Sequence, residues 1–378
     1  MKRALKKPGI NYNNSINIYM TKSCSLLWNH TRLHVDGSVL PCCIFDTSKI
    51  PNKNIKIPKL IDGIESAFNS ELFDDVRNRM TNNDAVPECN ACWYLEDAGV
   101  KSLRNEMNER FQINDKKIRY IETAFSTHCN LTCRMCNEDF SSKWKQLINP
   151  SIKPDLVIDN FDLDKYDSDL SELRLVKLVG GEPMIDKQHV PFLEKLISKS
   201  SASDIELEYH TNATVSPSKK VIEFWKQFNK VTIIFSIDGI GEVNEILRPP
   251  HKWETVVKTI EFFKNITGVN FNFKIHTVIS ILNIKRLHEV IGYSMQEFGD
   301  DAIGFDFLQY PSHLSVQNTN IKAELIEFVT ENYLPISPDA QAVIEYIKGD
   351  SNMTFSLQEV IDIENKSLVS GSVDKLLY

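Results

Sequence analysis

The run Cys129-Asn130-Leu131-Thr132-Cys133-Arg134-Met135-Cys136 holds three cysteines with three and then two residues between them. That spacing wraps three thiolates around one [4Fe–4S] cube. A cube held wholly by protein takes four cysteines, so three leave one iron open to a ligand from outside the chain. Chemistry can happen at that open iron. A structural zinc site also uses C-x2-C pairs, but it wants a fourth ligand. His128 is the only close candidate, and directly beside Cys129 it would reach the same ion under strain.

A second set, Cys24, Cys42, Cys89 and Cys92, is separated by seventeen, forty-six and two residues. Four thiolates close a cube completely, which suits electron transfer or structural support. A zinc ribbon on the same four thiolates is the competing reading. Cys43 is left over. Adjacent cysteines point in different directions, so Cys42 or Cys43, and not both, belongs to this set.

The elements that must carry these loops are legible in the hydrophobic pattern. From about Lys117 the chain alternates apolar, β-rich runs with amphipathic helical stretches, the signature of parallel βα units. Strands are expected at Ile118–Ala124, Arg174–Leu178, Ile205–His210, Val231–Ile237, Phe271–Val278 and Ile303–Leu308. Helices are expected across Val190–Ile197, Val221–Phe228 and Val256–Phe263. In parallel barrels the reactive groups gather on loops at the C-terminal strand ends. The N-terminal third reads differently. Asp36-Gly37 between short alternating runs is a hairpin signal. A helix follows over Ser66–Met80, then a turn at Pro87-Glu88-Cys89-Asn90-Ala91-Cys92, and a second helix near Val100–Phe111. Beyond Pro311 two helical stretches are expected, Ala323–Tyr333 and Ala340–Ile347.

Composition narrows the class. The chain has 378 residues, 42% hydrophobic and 25% charged, with a formal net charge of −8, ordinary values for a globular protein of more than one domain. The acidic balance argues against a broad nucleic-acid-binding face. No stretch approaches the ~18 consecutive apolar residues of a membrane helix, and the N-terminus lacks the apolar core of a secretory signal. Clustered cysteines favour metal over disulfides, so a reducing cytoplasm is the expected location.

With the CxxxCxxC loop after the first barrel strand and Gly180-Gly181-Glu182-Pro183 after the second, the chain resembles the radical S-adenosylmethionine (SAM) superfamily. The resemblance spans about residues 20–310. It implies an α/β fold, a partial (β/α)6 TIM-like barrel, with Cys129, Cys133 and Cys136 holding the catalytic cube. SAM chelates the open iron through its amino and carboxylate groups, and its reductive cleavage yields a 5′-deoxyadenosyl radical that abstracts hydrogen from substrate. Cys24, Cys42, Cys89 and Cys92, with Asp36-Gly37-Ser38-Val39-Leu40-Pro41-Cys42 close to the D-G-x-V-x-P-C phrase, resemble the twitch domain, a shortened SPASM domain holding an auxiliary [4Fe–4S] cluster. The phrase favours Cys42 over Cys43. Here the module precedes the barrel, as in an N-terminal-twitch subgroup.

The resemblance also assigns a SAM pocket. Gly180, Gly181, Glu182 and Pro183 meet the amino group of SAM, the glycine pair letting backbone approach a ligand closely. Ser236 and Asp238 offer a hydroxyl and a carboxylate to ribose. Asn212 contacts the methionine moiety or the substrate, and Arg248 either makes a forked contact to a carboxylate or is a surface arginine. The family's adenine motif is not recognisable around Val278 and Asn283, and His210 and His276 read as structural histidines.

The expected organisation is an N-terminal tail over 1–19, a small α+β twitch domain over 20–112, the barrel over 113–310 and a helical C-terminal extension over 311–378. The expected activity is that of a radical SAM enzyme, an oxidoreductase or modifying enzyme acting on a small molecule or peptide. Two [4Fe–4S] clusters, SAM and an electron donor such as a flavodoxin or ferredoxin are implied. RNA modification and a non-enzymatic, zinc-stabilised α/β binding protein are the alternatives.

Overall fold

The computed structural model describes residues 23–377 except 98–100, 152–169, 335–339, 350, 352 and 370. The expected tail over 1–19 lies outside the described residues, as does Val100 at the start of the expected second helix.

Eight strands form one sheet. The hairpin appears as β1 (His30–Leu33) and β2 (Val39–Leu40), antiparallel across a turn in which Gly37 takes φ +78°. The six barrel strands follow: β3 (Tyr120–Ala124), β4 (Leu175–Val179), β5 (Glu206–Thr211), β6 (Lys230–Ser236), β7 (Phe271–Ile279) and β8 (Ile303–Phe307). Each lies within two residues of its expected bounds. The sheet order is β2-β1-β3-β4-β5-β6-β7-β8, and β3 to β8 are parallel throughout. The sequence had not indicated that β1 pairs with β3, in parallel, placing the N-terminal hairpin on the barrel's own sheet.

Side chains alternate between faces along each strand. The outer row, including Val176, Leu178, Leu207, Tyr209, Ile233 and Phe235, is fully buried against the flanking helices. Those helices are His189–Lys199, Lys219–Trp225, Trp253–Lys264 and Leu287–Phe298. Trp225 sits at the centre of this layer, edge-on to Tyr209, with its indole N–H donating to the Tyr209 hydroxyl at 3.0 Å. The inner row is polar instead. Across four adjacent strands the register aligns Arg32, Glu122, Lys177 and Glu208. A closed TIM barrel fills this space with branched apolar side chains; the open arc here presents charges.

Several local expectations are corrected. The single helix over Ser66–Met80 is two, Ile64–Phe68 and Glu71–Thr81, because Asn69 and Ser70 cap the first and start the second; both residue types compete with helical backbone bonding. The Pro87–Cys92 turn is a 3-10 turn running into the helix Asn90–Asp97, with proline at its first position, where no N–H is missed. The C-terminal part has two further helices, Leu357–Lys366 and Asp374–Leu377, beyond Lys322–Asn332 and Ala340–Lys348. The first of these opens on a capping box between Ser356 and Glu359, a pattern the sequence does display.

Trp225→Ala is expected to lower the unfolding free energy by about 3–5 kcal/mol, the usual cost of emptying a large aromatic site. The check is the urea midpoint. A variant as resistant as the parent would show that the aromatic layer does not hold the helices to the sheet.

Candidate functional site

The cysteine loop begins five residues after β3 and has no regular structure of its own, so its backbone is held from outside. Thr132 N donates to Pro249 O at 2.6 Å and Arg134 N to Leu247 O at 2.8 Å. Trp144 Nε1 donates to Cys133 O at 2.9 Å, and Ser141 Oγ to Leu131 O at 2.9 Å. From inside the loop the buried Arg134 side chain reaches Glu364 Oε2 at 2.5 Å, Ile246 O at 3.0 Å and Gly371 O. The C-terminal helices thus clamp the loop.

Gly180 and Gly181 serve the same end. A Cβ on Gly181 would stand 2.1 Å from His128 O, and Gly180, at φ +114°, would press on Ala124 and Ser126. The room that the glycine pair makes is taken by the backbone before Cys129. Glu182 N also donates to His128 O at 2.8 Å.

The Glu182 carboxylate is buried and surrounded by donors. Thr211 Oγ1 donates to it at 2.8 Å, Asn212 N at 2.7 Å and Met184 N at 3.1 Å. Burial pushes its pKa up to about 7 in spite of those bonds. Pro183, also buried, starts the short 3-10 turn that follows. Asn212 bonds the cysteine loop directly. Its Nδ2 donates to Asn130 Oδ1 at 2.9 Å, Asn130 Nδ2 donates to Thr214 Oγ1 at 2.8 Å, and Thr214 Oγ1 donates back to Asn212 Oδ1 at 2.6 Å. Asn130 and Thr214 carried no sequence signal.

Arg248 is not a surface residue. It is 8% exposed, its Nε donates to Asp238 Oδ2 at 2.5 Å, and its Nη1 lies 3.8 Å from Cys133 Sγ. Asp238, expected to face a ribose, is fully buried with its other oxygen accepting from Val278 N at 2.8 Å. Its carboxylate orients the guanidinium rather than standing free. Asn283 is likewise engaged, donating to the carbonyls of Asp238 and Val278. Ser236 lies on the inner row in register with His276. His276 approaches Asp306 at 3.3 Å, and its ring lies 5.5 Å from that of His210.

Cys129, Cys133 and Cys136 act on one another's charge and on that of Arg248. Burial raises all three thiol pKa values, Cys136 up to about 11, and Arg248 pulls each of them down. Such thiols bind as thiolates when a metal takes the proton's place. Cys24, Cys42, Cys89 and Cys92 line one apolar cavity with Leu26, Ile44, Met80, Leu103 and Arg104. Burial pushes Cys24 up to about 12. Cys42 shares this set, while the exposed Cys43 does not line the cavity. Among the described residues no three His, Cys, Asp or Glu side chains stand so as to hold one metal ion. A cube makes a different demand, spreading its ligands over separate irons. Two converging thiol sets without disulfides fit that demand.

Comparison with known proteins agrees with this division. The model of the radical SAM superfamily matches residues 123–293, and that of the SPASM iron–sulfur cluster-binding domain matches residues 24–93. No curated protein matches the sequence. Among solved structures, Streptococcus suis SuiB bound to S-adenosylmethionine is 14% identical at a TM-score of 0.38, covering 76% of this chain and 52% of that one. Native anSMEcpe with bound AdoMet is 20% identical at 0.40, covering 57% and 62%. The chain thus spans about half to three fifths of those proteins, and likeness at that level says nothing of substrate. On the two family models, and on the two thiol sets that fall within them, residues 123–293 form a radical SAM domain, and residues 24–93, ahead of it, form a SPASM-type iron–sulfur cluster-binding domain.

Proposed function

We propose that Cys129, Cys133 and Cys136 hold a [4Fe–4S] cube whose open iron binds SAM, and that Cys24, Cys42, Cys89 and Cys92 hold a second, fully ligated cube. The observation that carries the reading is the three-thiol loop beside the buried Arg248 guanidinium, 3.8 Å from Cys133 Sγ, at the C-terminal ends of a parallel arc. Held there, a cube with SAM on its open iron would supply one-electron chemistry able to remove hydrogen from a substrate C–H bond.

The chain's own residues bind, orient and shield. Arg248, fixed by Asp238, brings a positive charge to the cluster thiolates and to any carboxylate beside them. Glu182 meets the ammonium of SAM, and an arriving cation would favour the ionised carboxylate against the burial that now opposes it. Asn212 holds the loop through Asn130 and closes the same corner. Substrate, a small molecule or a peptide, enters the polar lumen, and the electrons come from a flavodoxin- or ferredoxin-type donor.

Two outcomes test this. Anaerobic reconstitution should load about eight irons and eight sulfides per chain, the content of two cubes, and SAM should alter the electron paramagnetic resonance signal of the reduced protein. Removing Cys129, Cys133 and Cys136 together should halve the iron and abolish SAM cleavage, whereas removing Cys24, Cys89 and Cys92 should halve the iron and leave cleavage by a strong chemical reductant. Stoichiometric zinc without iron uptake would sink the enzymatic reading. Independently, Gly181→Ala should displace the His128 backbone and cut iron uptake at the catalytic set; full loading of that variant would show the loop to tolerate the added methyl group.

A further inference from the structure

The cavity that gathers Cys24, Cys42, Cys89 and Cys92 is walled by Leu26, Ile44, Met80 and Leu103, and among the described residues that line it Arg104 alone carries a fixed charge. Arg104 is 4% exposed. Taking a guanidinium out of water costs several kcal/mol unless it is paired and hydrogen-bonded, and here it is both. Its Nε donates to Glu96 Oε1 at 2.9 Å and its Nη2 to Glu96 Oε2, the two-pronged contact of a guanidinium on a carboxylate. Its Nη1 donates to Ser23 O at 2.9 Å. Its Cζ lies 4.7 Å from the centre of the Trp93 ring, whose Nε1 donates to Val86 O at 3.3 Å. Ser102 Oγ donates to Glu96 Oε1, so the carboxylate is fixed as well.

These contacts join the segments that carry the thiols. Ser23 precedes Cys24. Trp93 and Glu96 ride on the helix Asn90–Asp97 with Cys92, and Glu96 follows Cys92 by four residues, on the same helix face. Arg104 lies in the first turn of the helix Leu103–Arg110, capped by Ser102. From that helix Asn108 grips the Cys24 segment, its Nδ2 donating to Ser23 O at 3.0 Å and its Oδ1 accepting from Ser25 N at 2.7 Å.

The ion pair is also oriented. Arg104 lines the cavity and Glu96 does not, so the pair turns its positive end to the thiols. Leu103 and Arg104 are the first two residues of their helix and both line the cavity, which brings the partial positive charge of the helix N-terminus to the same place. A cube ligated by four thiolates is an anion, and each electron it gains adds a negative charge. Nearby positive charge in an apolar cavity, where screening is weak, favours the more negative state. Net charge around a cube is one of the levers that set its reduction potential.

Resting on the reading of this set as a fully ligated cube, we propose that Arg104, aimed by Glu96 and Trp93, sets the reduction potential of the auxiliary cluster and holds it above the value that four thiolates in an apolar cavity alone would give. The one-electron step forms and breaks no bond. The electron comes from the donor protein, and Arg104 keeps its proton throughout, so its charge answers the charge that the cluster gains. Glu96 has two opposed effects, fixing the guanidinium and partly offsetting it.

The test reads a potential and not turnover. Full-length protein carrying Cys129→Ala, Cys133→Ala and Cys136→Ala is reconstituted anaerobically, which leaves a single cube of about four irons. Its midpoint is measured by mediated titration with dithionite, followed by electron paramagnetic resonance. In this background Arg104→Gln should make reduction about tenfold less favourable, a fall of about 59 mV for one electron. Arg104→Lys, which keeps the charge, should stay closer to the parent. Glu96→Gln should move the potential upward, a reversal of sign that loosened packing would not produce. Unmoved potentials, or shifts of one sign in Arg104→Gln and Glu96→Gln, overturn the tuning role and leave the two-cluster reading intact. Should Arg104→Gln lose its iron, Glu96→Gln decides alone, an upward shift supporting the role and any other result overturning it. Loss of iron from both makes the pair purely structural and overturns it too. If the background protein takes up no iron, the auxiliary cluster falls and this role with it.

Discussion

A buried ion pair underlies the candidate site. Arg248 and Asp238 are both removed from water, which costs each charge several kcal/mol, and the pair is tolerable because each answers the other's charge and both Asp238 oxygens are hydrogen-bonded. Asp238 gives one oxygen to the guanidinium and the other to Val278 N. Asn283 holds the Asp238 and Val278 carbonyls together. The far side of the guanidinium is left to face Cys133. In a low-dielectric pocket that charge acts strongly on thiolates and on anionic ligand groups alike. Removing either partner would strand a buried charge, at a cost of about 3–5 kcal/mol, so the geometry is enforced by stability before any ligand arrives.

The cysteine loop depends on a second guanidinium. Arg134 lies between the second and third cysteines and points away from them, into the C-terminal helices, where Glu364 and the Gly371 carbonyl receive it. Glu364 is held in turn by His313 at 2.7 Å. The extension is therefore a wall of the site, and the cavity between Arg134, Cys136, Trp144, His313 and Glu364 marks where that wall stands off from the loop. A loop without internal ladder bonds can keep three thiols in fixed relation only if such outside contacts replace them.

What the sequence disclosed follows from the range of the interactions. The thiol sets were legible because ligand spacing along the chain is nearly local, and the strands because β-rich runs with alternating burial are local too. The split at Asn69-Ser70 and the Ser356–Glu359 box are written in capping chemistry, which hydrophobic periodicity does not register. The rest is long-range. Nothing near Asp238 announces that its carboxylate is used by an arginine ten residues on, or that Asn130 closes a ring with Asn212 and Thr214. The glycine pair was read as room for a ligand, but a missing Cβ does not say which neighbour fills the space, and here the neighbour is the chain itself.

The pairing of β1 with β3 explains why a cysteine module can precede the barrel without disturbing it. A parallel arc has two open edges, and unpaired edge strands are a liability. Here β1 covers the β3 edge by backbone bonds that need no particular chain order. The same strand carries His30, which fixes the turn at Pro41, and Arg32, which pairs with Glu122. β3 leads directly into the loop of Cys129, Cys133 and Cys136. One ladder of hydrogen bonds therefore sets both thiol sets in a common frame, and a shift of its register by one residue would turn Arg32 to the other face and carry the Cys42–Cys43 turn with it.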